Sequence, residues 1–276
     1  MHSHEIRLMS HCRLSQLWPG KVEWGQLRPP ALGPHPVCSD ATAYHYSFDF
    51  AQQVHLPHDP MQSGPVYFLC PRKVGLFGIG CENIPQQVNF LTDEAHCTSK
   101  GCNAVISYLH YFFEHYGLGE QEVHLHCDNC TGQNKNSYVL AYLISTTFIN
   151  APASLHFLIA RHTNFSPDWC FGLIKQRFRK TAVATLDDLS NCAQSSSAAS
   201  EINISQIVGP ENWPAIVPVY DWQQFLSTIF RPLPGIKSHH HFTISSDHPG
   251  TVVYKEFGNS EMKKHTMLKV SLKQVC

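Results

Sequence analysis

Apolar and polar positions alternate with period two along Ala43–Leu56, where Tyr44, Tyr46, Phe48 and Phe50 interleave with His45, Ser47 and Asp49. Strand side chains point to opposite faces in turn, so this stretch predicts a strand with one aromatic and one polar face. Val66–Leu69, Val74–Ile79 and Val88–Leu91 predict further strands. The period changes in Ala104–Tyr116: Val105, Leu109, Phe112, Phe113 and Tyr116 fall at helical spacing, and Gly117 follows as a stop. Val123–Asp128 returns to alternation, with Val123, Leu125 and Cys127 against His124, His126 and Asp128. A polar loop, Asn129–Asn134, leads to a predicted helix over Asn136–Ile149, a strand over Ser154–Ala160 and a helix over Pro167–Thr181. Later come a helix at Asp221–Phe230, opened by Asp221 as N-cap, and strands over His241–Ser245, Thr251–Glu256 and Thr266–Val270. His248-Pro249-Gly250 makes the turn between the first two of these strands.

Strands that alternate with helices imply parallel pairing through right-handed crossovers, and hence an α/β fold with a mixed sheet flanked by helices. Residues 1–40 lack periodicity and hold Pro19, Pro29, Pro30, Pro34 and Pro36, so they read as a poorly structured tail. The core spans 41–190. Serine and alanine dominate 191–205, which reads as a linker or loop. Residues 206–276 form a helix plus a small β-rich extension packed on the core.

The chain has 276 residues, 43% hydrophobic and 15% charged, which suits a globular protein with a sizeable core. The net charge of −1 argues mildly against nucleic-acid binding, although a local basic strip suffices where it faces phosphates. Eleven cysteines invite a disulfide framework, but Met1–Arg13 has no apolar run of the secretory kind. The cysteines therefore read as reduced and intracellular. No apolar run approaches the roughly 20 residues of a membrane span.

Candidate chemistry centres on three acids. Asp49 and Asp128 each end a polar stripe on a strand, and a histidine precedes each by four residues (His45, His124). On neighbouring parallel strands the two carboxylates would stand side by side, and a divalent cation would relieve their repulsion. Ser166 as N-cap and Pro167 at the first helical position place Asp168 in the first turn of a helix. Oxygen-only ligands of this kind suit Mg²⁺ or Mn²⁺. Taken singly, each acid also has a plain structural reading: Asp49 as an exposed strand residue, Asp128 as a turn former, Asp168 as a partner of the helix dipole.

Three segments carry a family resemblance: Ser47-Phe-Asp-Phe-Ala-Gln-Gln53, His126-Cys-Asp-Asn-Cys-Thr-Gly-Gln-Asn-Lys-Asn136 and His162-Thr-Asn-Phe-Ser-Pro-Asp-Trp-Cys-Phe-Gly172. With Val219-Tyr-Asp-Trp222 and His239–His241, they resemble a transposon-derived animal family, the domain of unknown function 7869. The resemblance implies a ribonuclease-H-like fold and a transposase-type triad of Asp49, Asp128 and Asp168 holding Mg²⁺ or Mn²⁺. It further implies DNA as partner, with RNA as the other polymer such a fold handles, and hence the nucleus as location, with the cytoplasm as alternative. Two departures stand out. Arg161 takes the place of a glycine before His162, and residues 1–40 do not resemble the cysteine-rich modules that family members tend to carry upstream.

Other constellations are weaker. Cys127-Asp-Asn-Cys130 has zinc-like spacing without a second well-spaced pair. Asn129, Gln133, Asn134 and Lys135 are candidate substrate contacts, or else a polar turn and helix cap. His162 and Lys175 are further candidates, and Lys175, Arg177, Arg179 and Lys180 form a phosphate-facing strip or a solvated face. Trp169 and Phe171 are expected to anchor their helix in the core, and Asp93-Glu94 is a candidate fourth acid. The leading expectation is metal-dependent DNA phosphodiester cleavage or strand transfer. The alternatives are a domesticated, inactive module that binds nucleic acid or protein, and a nuclease acting on RNA.

Overall fold

A computed structural model describes residues 32–36, 38–61, 70–96, 101–147, 152–158, 166–197, 202–209 and 216–269. The expected strand at Val66–Leu69 and His162 lie outside the described residues. The first strand, β1 (Asp40–Phe50), pairs antiparallel with β3 (Arg72–Cys81), which pairs antiparallel with β4 (Gln86–Asp93). A short β2 (Val54–Leu56) also pairs with β3. On its other side β1 runs parallel to β5 (Glu120–Cys127), and β5 runs parallel to β6 (Ala153–Phe157). The spatial order β4-β3-β1-β5-β6, three antiparallel strands followed by two parallel ones, is compatible with the expected ribonuclease-H-like arrangement.

The two sheet faces are filled differently. Tyr44, Tyr46 and Phe48 of β1, Leu125 and Cys127 of β5, and Phe77 and Ile79 of β3 point into the main core. Helices α1 (Cys102–His115) and α2 (Ser137–Thr147) cover that face. The opposite face carries Val74, Leu76 and Leu91, a smaller cluster closed by α3 (Ser166–Phe178) and α4 (Leu186–Gln194). Burial of each face follows the period-two alternation.

The stretch expected to be a linker, 191–205, instead contains the end of α4 and the start of β7 (Asn203–Val208), a parallel neighbour of β4. Helix α4 begins at a capping box, in which the Thr185 hydroxyl accepts from the Asp188 backbone N–H and the Asp188 carboxylate accepts from the Thr185 N–H. Two of the three buried positions of β7, Asn203 and Ser205, are polar. Asn203 accepts from Asn89 of β4 at 3.0 Å and donates to the Cys170 carbonyl of α3 at 3.3 Å, which ties strand and helix together. A two-residue β8 (Ile216–Val217) follows β7 in the sheet.

The C-terminal extension continues the same sheet. Helix α5 (Trp222–Ile229), capped by Asp221 as expected, packs on α1 and α2. Strand β9 (His241–Ile244) pairs antiparallel with β6, and β10 (Thr251–Lys255) and β11 (Lys263–Thr266) add outward from it. The last strand thus lies earlier than the expected Thr266–Val270, and it carries the exposed Lys263 and Lys264.

Helix α3 reaches the sheet because Gly78 of β3 lacks a side chain. Gly78 is the register partner of Asp49, and a Cβ there would stand 2.8 Å from Cζ of Phe171 and 2.5 Å from Nε2 of Gln87. Gly78→Val should destabilise the fold by about 1–3 kcal/mol through overpacking, more than the gain in strand preference returns. Urea denaturation measures this; an unchanged midpoint would show that α3 does not need the close approach.

Candidate functional site

Phe48 and Cys127 are direct register partners across the parallel β1–β5 pair. Asp49 and Asp128 are the next residues along, Asp49 within β1 and Asp128 just past the end of β5, and both are partly buried. Each carboxylate is oriented locally. The Phe50 N–H donates to Asp49 Oδ1 at 2.7 Å. Asp128 Oδ1 accepts from Asn134 Nδ2 at 2.6 Å and from the Cys130 N–H at 3.2 Å. Both acids also bear on Cys127, whose thiol is pushed well up, first by burial and then by Asp128 and Asp49. Cys127 lies fully buried in the main apolar core, and Cys127-Asp-Asn-Cys130 belongs to no group of three metal-ligating side chains among the described residues.

Asp168 sits in the first turn of α3 and is exposed. It lines two cavities. One, of about 710 Å³, runs between the Phe50–Val54 segment and the flank of α3, with Lys175 and Arg179 on its rim. The other is lined by His45, Ser47, His126, Glu82 and the exposed Trp169. Asp168 thus shares cavities with Ser47, Phe50 and Ala51, the chain neighbours of Asp49, while neither Asp49 nor Asp128 lines either cavity. Two carboxylates on adjacent strand ends and a third on the overlying helix are the oxygen donors that a hard divalent cation takes. They are not preformed: no group of three His, Cys, Asp or Glu side chains is set to hold an ion among the described residues.

Several expected roles change. Lys135, expected as a substrate contact, is 1% exposed. Its amine donates to Asn129 Oδ1 and to the Lys237 carbonyl, both at 2.8 Å, and lies over the Phe157 ring. Burial holds its pKa below the usual lysine value. Asn134 is fully buried and its amide is spent on Asp128. Asn129 is tied to Lys135 and lies 3.4 Å from the His240 ring nitrogen, so the amide-rich loop holds Asp128 and the C-terminal extension. The Gln133 backbone carbonyl accepts from Asn136 Nδ2 at 2.8 Å. Lys175 fares better: it is exposed on a cavity rim and donates to Gln52 at 3.3 Å. Trp169 is 52% exposed and does not anchor α3; Phe171 and Ile174 do. The Ser166 hydroxyl donates to Glu82. Asp93 is buried beside Arg72 at the far end of β4 and is no fourth acid.

Sequence reasoning missed Glu82. It lies in the β3–β4 turn, where its two oxygens accept from the Ser47 and Ser166 hydroxyls. Nothing in the sequence marks that turn as near Ser166. It also understated the histidines. On the acid-bearing face, His45, His124, His126, His156 and His241 line up across β1, β5, β6 and β9. His45 Nδ1 lies 3.0 Å from His126 Nε2, and His156 Nδ1 lies 3.0 Å from His241 Nδ1. The alternation displays these positions, but only the strand register brings them together.

Fold and site define a mixed α/β protein in which two acids follow a register pair of adjacent parallel strands. The chain belongs to the family described as Domain of unknown function (DUF7869), whose family model matches residues 75–260. No curated protein and no solved structure matches it.

Two measurements probe this region. Burial, then the neighbouring histidines, lowers the pKa of His156 from 6.5 to about 4. The unfolded chain binds more protons in that window, so stability is full above about pH 6.5 and falls as pH drops toward 4. Urea midpoints measured across this range should decline in wild type and decline less in His156→Gln. Separately, Lys135→Met takes the charged donor from Asn129 Oδ1 and the Lys237 carbonyl, both in part-buried hydrogen bonds, and should cost about 1–3 kcal/mol. A melting curve that matches wild type would refute the buried role.

Proposed function

We propose that this chain is a transposase-derived catalytic domain that cleaves or joins DNA phosphodiesters with Mg²⁺ or Mn²⁺. The observation that supports the reading is that Asp49 and Asp128 directly follow the Phe48–Cys127 register pair of two parallel strands. Carboxyl ends of parallel strands are where α/β sheets gather functional groups. Asp49 and Asp128 would hold the cation, with Asp168 completing the set from α3. When bound, the cation supplies positive charge against the phosphate and the charge that builds on it during displacement.

The chain's own residues do the rest. Asn134 and the Cys130 N–H fix one oxygen of Asp128. Lys175 and Arg179, one helical turn apart on the rim of the cavity that Asp168 also lines, offer cations to a phosphate backbone. The exposed indole of Trp169, beside Asp168, offers a stacking surface to an unpaired base. RNA is the alternative polymer, since contacts of this kind address backbone and base faces.

A second reading is a domesticated, inactive module that binds nucleic acid or protein. The lack of a preformed three-donor group among the described residues favours it. A cleavage assay with Mg²⁺ or Mn²⁺ separates the two. Wild type should cut, and Asp128→Asn should lower the rate about a hundredfold or more, the loss expected when several kcal/mol of charge stabilisation go. Equal rates in both proteins would sink the catalytic reading.

A further inference from the structure

The cavity between the Phe50–Val54 segment and α3 holds about 710 Å³, within the roughly 300–1,000 Å³ of small-molecule sites. Its walls are aromatic. Phe50, Phe171 and Phe178 line it, each partly buried. The His58 ring extends the wall by stacking on Phe178, 4.2 Å between centroids and 19° between planes. Backbone holds His58 in place, because it exchanges two hydrogen bonds of 2.8 Å with Val183. The rim is charged, with Lys175 and Arg179 exposed one helical turn apart and Asp168 toward the other end of the helix.

Gly172 keeps this space open. It stands in the middle of α3, where glycine is a poor helix former. A Cβ there would meet nothing within 4 Å, so no close packing asks for glycine. By spacing, positions 168, 172, 175 and 179 share one helix face, so a side chain at 172 would enter the cavity between the acid and the two cations.

We propose that this cavity binds one unpaired nucleotide, with its base among Phe171, Phe178 and His58 and its phosphate on Lys175 and Arg179. The proposal rests on the reading of the chain as a nucleic-acid-acting domain for the strand that supplies the nucleotide, but on neither metal nor cleavage. Aromatic faces take any base by stacking, and a cationic rim takes the backbone. An uncharged apolar ligand has no use for the two cations, and a bare phosphate has no use for the ring-lined interior. The exposed amide of Gln53, also on the wall, offers a donor and an acceptor to a base edge. Asp168 repels phosphate and so directs the anionic end of the ligand toward Lys175 and Arg179. A base in a duplex reaches such a pocket only after it is unpaired, which selects single strands and frayed ends.

Binding by the full chain is measured in chelator, without divalent metal, so that its outcome is independent of the cleavage assay. Fluorescence anisotropy reads the affinity for a labelled single-stranded oligodeoxyadenylate. The intact strand should bind about 5–150-fold more tightly than the same strand made abasic, the worth of one stacked base. A fully paired duplex should bind no better than the abasic strand. Competition by deoxyadenosine monophosphate separates the sources: a free nucleotide as effective as the strand marks a small-molecule site, and a weaker one marks a site for a strand. Gly172→Leu should fold with an unchanged or raised melting temperature and bind the intact strand only at the abasic level. Lys175→Gln/Arg179→Gln should weaken binding and flatten its salt dependence. Wild-type affinity in Gly172→Leu, or equal affinity for intact and abasic strands, overturns the proposal. Equal competition by deoxyadenosine and its monophosphate also overturns it, and assigns the cavity to an uncharged group such as an aromatic peptide side chain. Cleavage that persists beside any of these results leaves the catalytic reading standing, whereas base-dependent binding without cleavage sinks only the catalytic reading.

Discussion

The parallel register between β1 and β5 is the constraint on which the rest of the molecule depends. Tyr44, Tyr46 and Phe48 face the same side as Val123, Leu125 and Cys127, and a slip of one residue would carry one set out of the core. The aromatic cluster therefore fixes the register, and the register fixes the polar face. Asp49 beside Asp128, and the imidazoles behind them, are the reverse side of a packing solution. The chemistry of one face is positioned by hydrophobic burial on the other.

Helix α3 supplies what the strands lack. Its approach is permitted at Gly78 and secured by Phe171 and Ile174 below and by the Asn203–Cys170 carbonyl bond at the side. The Asn129–Lys135 loop acts on the other flank. Its buried amine reaches across to the Lys237 carbonyl, so the segment that holds Asp128 is bound to the C-terminal extension. A change in the extension thus has a short physical route to Asp128.

Much of this was legible in the sequence wherever one face is apolar and the other polar. Strands β1 and β5 and helix α1 follow their hydrophobic periods, and Asp221 caps α5 as its position suggests. Legibility fails where the buried face is polar. Strand β7 buries Asn203 and Ser205, so no apolar alternation announces it, and the serine-rich surroundings read as a linker. Helix α4 hides in the same stretch, although its Thr185–Asp188 cap is a readable start. Lys135 inverts the usual rule, because a lysine in a polar loop reads as exposed and only tertiary partners justify its burial. Trp169 inverts it the other way, since the inward side of α3 is already filled by Phe171 and Ile174.

The outer strands have a consequence for how such a wide sheet stays discrete. A sheet margin presents unpaired backbone groups that invite pairing with another chain. Within the described sheet, one margin is β8, which offers two residues. The other is β11, which sets Lys263 and Lys264 side by side in solvent. Pairing of two copies along that margin would bring like charges together. By covering β6, the extension exchanges a margin of Ala153, Leu155 and Phe157 for one guarded by lysines, a safeguard against aggregation.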